Sequence, residues 1–266
     1  MQTVDKRRMC PNCRAFISTD DKVCQYCDFK LGPRVVERRT SSDVGGLIPA
    51  GRFTTTVILF INAGLYVAGA LYGMQNPRQQ DVLMIAGASG PEIFRGDWWR
   101  LITAGFLHAG IIHILMNSWV IFDLGVIVEE FYGTARYLVF YFLSTVAGFY
   151  VSASTGHYSV GASAALFGLI GAMLALGVRQ RGTSLGEAVR AHFMQWAIWG
   201  IATSFIPGLR TDWAAHLGGL AGGFIVAYLA GTPPLYERWT GQAWRIAAAV
   251  CVLITIAAFV KMLLSL

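Results

Sequence analysis

Apolar residues in this chain come in blocks close to 20 residues long, the length a helix needs to cross a bilayer. Charge is scarce as well: 14% of residues, against roughly 25% in a soluble domain. The short alternating segments of a membrane β-barrel are missing. The pattern predicts an all-α polytopic membrane protein with seven spans. They run over Phe53–Tyr72, Thr103–Ile127, Thr134–Ala153, Gly161–Val178, Ala191–Ile206, Trp213–Ala230 and Ala243–Leu264. The fifth is short and carries His192 and Gln195.

Seven spans put the chain ends on opposite sides, and Lys and Arg decide which end is cytosolic. With the N-terminus inside, only Arg78, Arg95, Arg100, Arg210 and Lys261 of the 21 Lys and Arg residues lie outside. The expectation is therefore a cytosolic N-terminus and an outer C-terminus. No cleavable signal peptide opens the chain, whose start is polar, charged and rich in cysteine. The formal charge of +6 suits basic flanks facing anionic lipid, so the bilayer is an expected partner and nucleic acid is not. A bacterial plasma membrane suits a compact chain without a sorting signal.

Residues 1–30 read as a separate small module. Cys10 and Cys13 form one C-x-x-C pair, Cys24 and Cys27 a second. Two such knuckles can set four thiolates tetrahedrally around one zinc, and so short a segment needs metal to fold. Two disulfides or four thiols are the other readings, and a reducing cytosol disfavours the first. A four-cysteine site is closed, so its role is structural or adhesive, with a cytosolic protein as a partner for the module. Residues 31–52 are basic and rich in turn residues and read as a linker. The connection from Gly73 to Ile102 holds apolar residues of its own, including Trp98 and Trp99, and reads as a packed loop. The last span follows Pro233 and Pro234 and looks like an added helix; its Cys251 is a small apolar filler.

Chemistry concentrates on two spans. Ser163 stands in Gly161-Ala162-Ser163-Ala164 at the start of the fourth, and His216 stands four residues into the sixth. Both segments enter from the outer side, so at about 1.5 Å per residue the two side chains lie at nearly one depth. An intramembrane histidine is costly enough to suggest a function, and a Ser–His pair is a nucleophile with its base. Small residues flank both (Gly168 and Gly171; Gly218, Gly219, Gly222 and Gly223), allowing close helix packing. In the second span His113 and Asn117 are four apart on one face, and both can donate to a developing oxyanion. The competing reading is a polar pair that holds helices together. His108 lies five before His113 and fits the span entrance. Asp212, four before His216, could complete a triad but sits at the aqueous end. No H-E-x-x-H run is present, and Asp123 is the only acid well inside a span, so zinc and aspartyl chemistries are disfavoured.

Taken together, Gly161-Ala162-Ser163, the His216 helix with Gly219 and Gly223, His113-x-x-x-Asn117, and Trp99-Arg100 resemble the rhomboid intramembrane serine proteases. The resemblance covers residues 53–231. It implies a rhomboid-like six-helix core, followed over 232–266 by a linker and a seventh transmembrane helix, and preceded by the zinc-ribbon-like module. It implies Ser163 as nucleophile and His216 as base, acting on transmembrane proteins with no cofactor for catalysis. His113, Asn117 and the Ser163 amide would receive the oxyanion. Glu129 matches an acidic residue that braces the first loop and neighbouring helices, and Arg100 matches the loop arginine. Ala164 replaces a usual glycine, and Phe167 replaces a tyrosine that often stacks on the histidine. The alternative function is a catalytically weak or inactive relative that binds membrane clients.

Overall fold

The computed structural model describes residues 7–10, 16–18, 21–31, 53–75, 86–206, 211–232 and 239–265. The chain divides into two compact units, Met1–Pro49 and Ala50–Leu266.

In the first unit, β1 (Arg7–Met9) pairs antiparallel with β2 (Phe16–Ser18), Arg8 opposite Ile17. A second turn follows, in which Val23 bridges to Lys30 and the Cys24 amide donates to the Phe29 carbonyl at 2.9 Å. Asp28 within it is left-handed (φ 55°), a conformation aspartate tolerates better than most residues. The buried cluster is Cys10, Ile17, Cys24 and Leu31. Four such side chains bury too little to hold a module of this length by themselves.

The second unit opens with α1 (Phe53–Gln75). The first loop then carries β3 (Ala88–Ser89), α2 (Gly90–Phe94), α3 (Arg100–Thr103) and a 3-10 turn at Ala104–Phe106. Residues 76–85 of that packed loop lie outside the described residues. Next comes α4 (Ile111–Ser154), whose 44 residues rise about 66 Å, twice the hydrocarbon thickness of a bilayer. It breaks at Gly133, where φ of 77° demands glycine. The halves 111–132 and 134–154 are the second and third spans. A short β4 (Tyr158–Ser159) leads to α5 (Ser163–Arg179), α6 (Ser184–Thr203), α7 (Trp213–Ala230) and α8 (Trp239–Leu263).

Among the described residues four helices are long and apolar enough to cross a membrane, namely α1, the broken α4, α7 and α8. The chain is a multi-pass, all-α membrane protein. Two expected boundaries are corrected. The second span starts at Ile111 rather than Thr103, because Thr103–Phe106 complete the first loop's short helical turns and residues 107–110 are not helical. The fifth begins at Ser184 rather than Ala191, where the Thr183 hydroxyl accepts from the Gly186 amide and caps the helix.

The centre of the unit is α5, buried from Ala164 through Gly177. A Cβ on Gly219 of α7 would strike the Ala164 carbonyl, and one on Gly223 would strike that of Gly168. The two helices therefore run side by side in the same direction with backbone touching backbone. Lipid tails are as apolar as the helices, so the gain here is dispersion, about 0.1–0.2 kcal/mol per atom pair, summed over a close fit. The last helix is not a loose addition: Phe259 of α8 meets Phe106 edge-on at 5.6 Å, and Arg136 of α4 lies over Trp244 at 5.1 Å.

Glu129 is 3% exposed and ties α1 to the break in α4. Its carboxylate accepts from the Thr54 and Thr55 amides, both at 3.1 Å, and from the Thr55 and Thr134 hydroxyls, both at 2.9 Å. It thus caps the N-terminus of α1 from another helix, supplying partners that the first turn lacks. These contacts brace helix ends, whereas the resemblance had implied the first loop as well. Glu129→Ala orphans these donors, so unfolding in detergent should show a loss of about 2–5 kcal/mol. An unchanged thermal midpoint would contradict this role.

Candidate active site

The site forms around the first turn of α5. Seventeen residues rise about 25 Å, less than the roughly 30 Å of bilayer hydrocarbon. Its first residue is Ser163, partly buried. The first intrahelical bond runs from the Leu166 amide to Ala162, leaving the N–H groups of Ser163, Ala164 and Ala165 ahead of it. These amides and the positive end of the helix favour an anionic oxygen.

Across the α5–α7 seam, His216 (4% exposed) lies flat on Phe167, ring centroids 4.2 Å apart and 16° from parallel. Phe167 is one turn beyond Ser163 on the same face of α5. Gly219 faces Ala164, so His216 sits about two residues, roughly 3 Å of rise, from the level of Ser163. Ser163 donates no hydrogen bond to His216 among the described residues. The polar contact that His216 does make is with Ser204, whose Oγ is 3.2 Å from Nδ1. Asp212 is engaged elsewhere. One carboxylate oxygen accepts from the Ala214 and Ala215 amides as the N-cap of α7, and the other accepts from the Ser152 hydroxyl. It fixes the start of the His216 helix and completes no triad.

From α4, His113 and Asn117 approach the turn that precedes Ser163. Gly161 has φ of +125°, and a Cβ there would lie 2.6 Å from Cε1 and Nε2 of His113 and 3.8 Å from the Asn117 amide nitrogen. The Ala109 amide donates to Nδ1 of His113 at 3.4 Å, so a neutral His113 carries its proton on Nε2, towards Gly161. Asn117 uses one amide hydrogen on the His113 carbonyl at 2.9 Å and keeps another. His108 packs edge-on to His113, centroids 5.2 Å apart, just before the helix starts.

The first loop holds this turn in place. The Gly161 amide donates to the Ala104 carbonyl at 2.8 Å, and β3 pairs with β4 two residues upstream. Trp99 is 1% exposed. Arg100 is buried beside it, donating to Asp97 at 3.1 Å and to the Gly87 carbonyl at 3.2 Å. The Ser89 hydroxyl donates to Glu92 and holds that carboxyl below its usual range. Trp99 and Arg100 are thus packing and tethering residues of the loop.

The cysteine module has a second candidate centre. The sulfurs of Cys10, Cys24 and Cys27 lie within 4.8 Å of one another and could hold a metal ion. Cys10 and Cys27 are 3.7 Å apart, far beyond a disulfide bond of about 2.05 Å. That separation matches the edge, about 3.8 Å, of a tetrahedron with zinc–sulfur bonds of about 2.3 Å. Cys13 lies outside the described residues.

The arrangement brings together a hydroxyl, an imidazole on the facing helix and a set of N–H donors around one turn, the components of acyl transfer. Sequence reasoning missed Ser204, because a serine at a helix end ordinarily caps it. It also missed Ser152, whose partner Asp212 is distant in sequence.

A family model of the Rhomboid domain matches residues 95–233. The rhomboid protease GluP of Bacillus subtilis is 35% identical over 142 residues, 53% of this chain and 28% of GluP. YdcA of the same organism is 37% identical over 140 residues, 52% of this chain and 69% of that protein. Rhomboid-like protease 3 of Toxoplasma gondii is 34% identical over 185 residues, 68% of this chain and 70% of that protein. This chain thus spans little more than a quarter of GluP's length and over two thirds of the other two.

Gly161→Ala tests the turn. Its methyl meets the His113 ring and the backbone is strained by about 1–3 kcal/mol. Labelling of Ser163 by a fluorophosphonate should slow at least ~10-fold as the donors shift. Labelling at the original rate would mean that His113 does not face this turn.

Proposed function

The chain belongs to the rhomboid family, and on that premise we propose that it is an intramembrane serine endopeptidase with Ser163 as nucleophile and His216 as base. The observation that carries this reading is the stacking of His216 on Phe167, one turn from Ser163 at the α5–α7 seam. Ser163 Oγ attacks the scissile carbonyl carbon while its proton passes to Nε2 of His216, the nitrogen turned away from Ser204. The carbonyl oxygen becomes an oxyanion, received by the Ser163 amide, Nε2–H of His113 and the Asn117 amide. Each such donor is typically worth about 10²–10³ in rate. Collapse breaks the C–N bond, and the leaving amine takes the proton from His216. A water molecule, deprotonated by the same imidazole, then hydrolyses the acyl-enzyme and frees Ser163.

The similar proteins bear the name rhomboid protease, and on this reading the substrates are transmembrane segments of other proteins. They are cut near their outer end, in keeping with the place of Ser163 as the first residue of α5. The N-terminus is cytosolic and the C-terminus outside, as the distribution of Lys and Arg favours, and the membrane is a bacterial plasma membrane. Residues 53–231 form the protease core, with α8 in the 232–266 extension supporting the first loop. Residues 31–52 link the core to a module over residues 1–30, in which Cys10, Cys13, Cys24 and Cys27 bind one structural zinc. Zinc there would supply folding energy to the ribbon and takes no part in hydrolysis.

In bacterial cells a single-span substrate with an outer reporter domain should be cut and the reporter released outside. Ser163→Ala and His216→Ala should each abolish release, a loss of at least ~10³-fold. Cleavage surviving either substitution would sink the assignment of the pair, and release on the cytosolic side would reverse the orientation. For the module, elemental analysis of the purified chain should find one zinc per chain, lost in Cys24→Ser. A metal-free wild type with its four thiols bridged as disulfides would refute the zinc reading.

A further inference from the structure

His216 can act as a base only if its lone pair points at Ser163 and its N–H points elsewhere. A neutral imidazole has one of each, and the partner of one nitrogen decides the state of the other. The Ser204 hydroxyl lies 3.2 Å from Nδ1. Asp212, the carboxylate nearest in sequence, is committed to the α7 amides and to Ser152. We propose that Ser204 is the positioning residue of His216, accepting the Nδ1–H so that Nε2 is the nitrogen that takes the Ser163 proton. This rests on the reading of Ser163 and His216 as nucleophile and base.

Proton transfer turns the ring into an imidazolium with two N–H groups. Nε2–H holds the proton destined for the leaving amine. Nδ1–H needs an acceptor in a site shielded from water, and the Ser204 oxygen supplies one without adding a buried charge. No proton leaves Nδ1 at any step. Ser204 therefore stabilises the charged ring and fixes its orientation, together with the face of Phe167.

Ser204 is itself held in place. It is the C-cap of α6, its amide donating to the Ile201 carbonyl at 2.9 Å, and the preceding Thr203 hydroxyl donates to the Gly200 carbonyl at 2.6 Å. A Cβ on Gly200 would strike the far edge of the Phe167 ring. The last turn of α6 thus meets both the imidazole and the ring beneath it. The acceptor of Nδ1 comes from a different helix than the base, so the geometry of His216 depends on α6 being seated.

The test uses the full chain in liposomes with a single-span substrate. kcat, KM and the thermal midpoint are measured for wild type, Ser204→Ala, Ser204→Thr and Ser163→Ala. Ser204→Ala should lower kcat about 10- to 100-fold with KM within about twofold and the midpoint unchanged. Ser204→Thr, which keeps the hydroxyl, should restore most of kcat. A wild-type kcat in Ser204→Ala overturns the proposal. So does a loss that Thr does not restore, or one that follows a raised KM and a lowered midpoint, which marks Ser204 as a cap alone. If Ser163→Ala cleaves like wild type, the protease reading itself fails and this inference falls with it; an inactive Ser163→Ala beside an active Ser204→Ala condemns Ser204 only.

Discussion

Backbone contact between α5 and α7 sets the distance on which the rest of the structure depends. In lipid no hydrophobic force draws two helices together, so they approach as far as their smallest residues permit. Gly219 against the Ala164 carbonyl and Gly223 against that of Gly168 permit contact with no side chain between. Only at that spacing does an imidazole on α7 reach the face of a ring on α5 one turn below Ser163. A larger residue at either glycine would strike the backbone of α5 and push the two helices apart. The glycine-rich character of these helices and the position of the base are one fact seen from two sides.

Burying a hydroxyl and an imidazole in a membrane protein is costly unless their surroundings supply partners. The chain meets this with groups taken from connections more than from helices. The Ala104 carbonyl in the first loop accepts from the Gly161 amide, and the Ala109 amide just before α4 donates to Nδ1 of His113. Trp99 and Arg100 fill and tether that loop, and Phe259 of α8 supports its last turn. The loop and the C-terminal helix therefore belong to the same construction as the site, although neither carries a reacting atom.

The helices were legible in the sequence because length and apolarity are local properties that a bilayer reads directly. The break in α4 was visible as a gap between two spans, and glycine at Gly133 supplies the backbone angle it requires. Where the second span begins was not legible. Residues 103–110 are apolar enough to belong to it, yet tertiary contacts hold them in short turns and extended backbone. The likeness in depth of Ser163 and His216 could be counted from span ends, since both segments enter from one side. Ser204 could not, because its contact with His216 depends on where the end of one helix falls beside the first turn of another. Glu129 was legible as a brace, while its partners at the start of α1 emerge only from packing.

Ala164 bears on whether the site is competent. Its extra methyl stands next to the nucleophile in sequence, where it would be expected to crowd a substrate. In the fold that methyl packs against α4, where a Cβ on Gly148 would lie 2.8 Å from it. Ala164 is fully buried, and Gly148 leaves the space it fills. The amide of residue 164 is unaffected by the exchange, since alanine keeps the N–H at the start of α5. A methyl that α4 accommodates costs the turn no donor. Ala164, the departure from the family pattern beside Ser163, is thus a packing exchange between two helices.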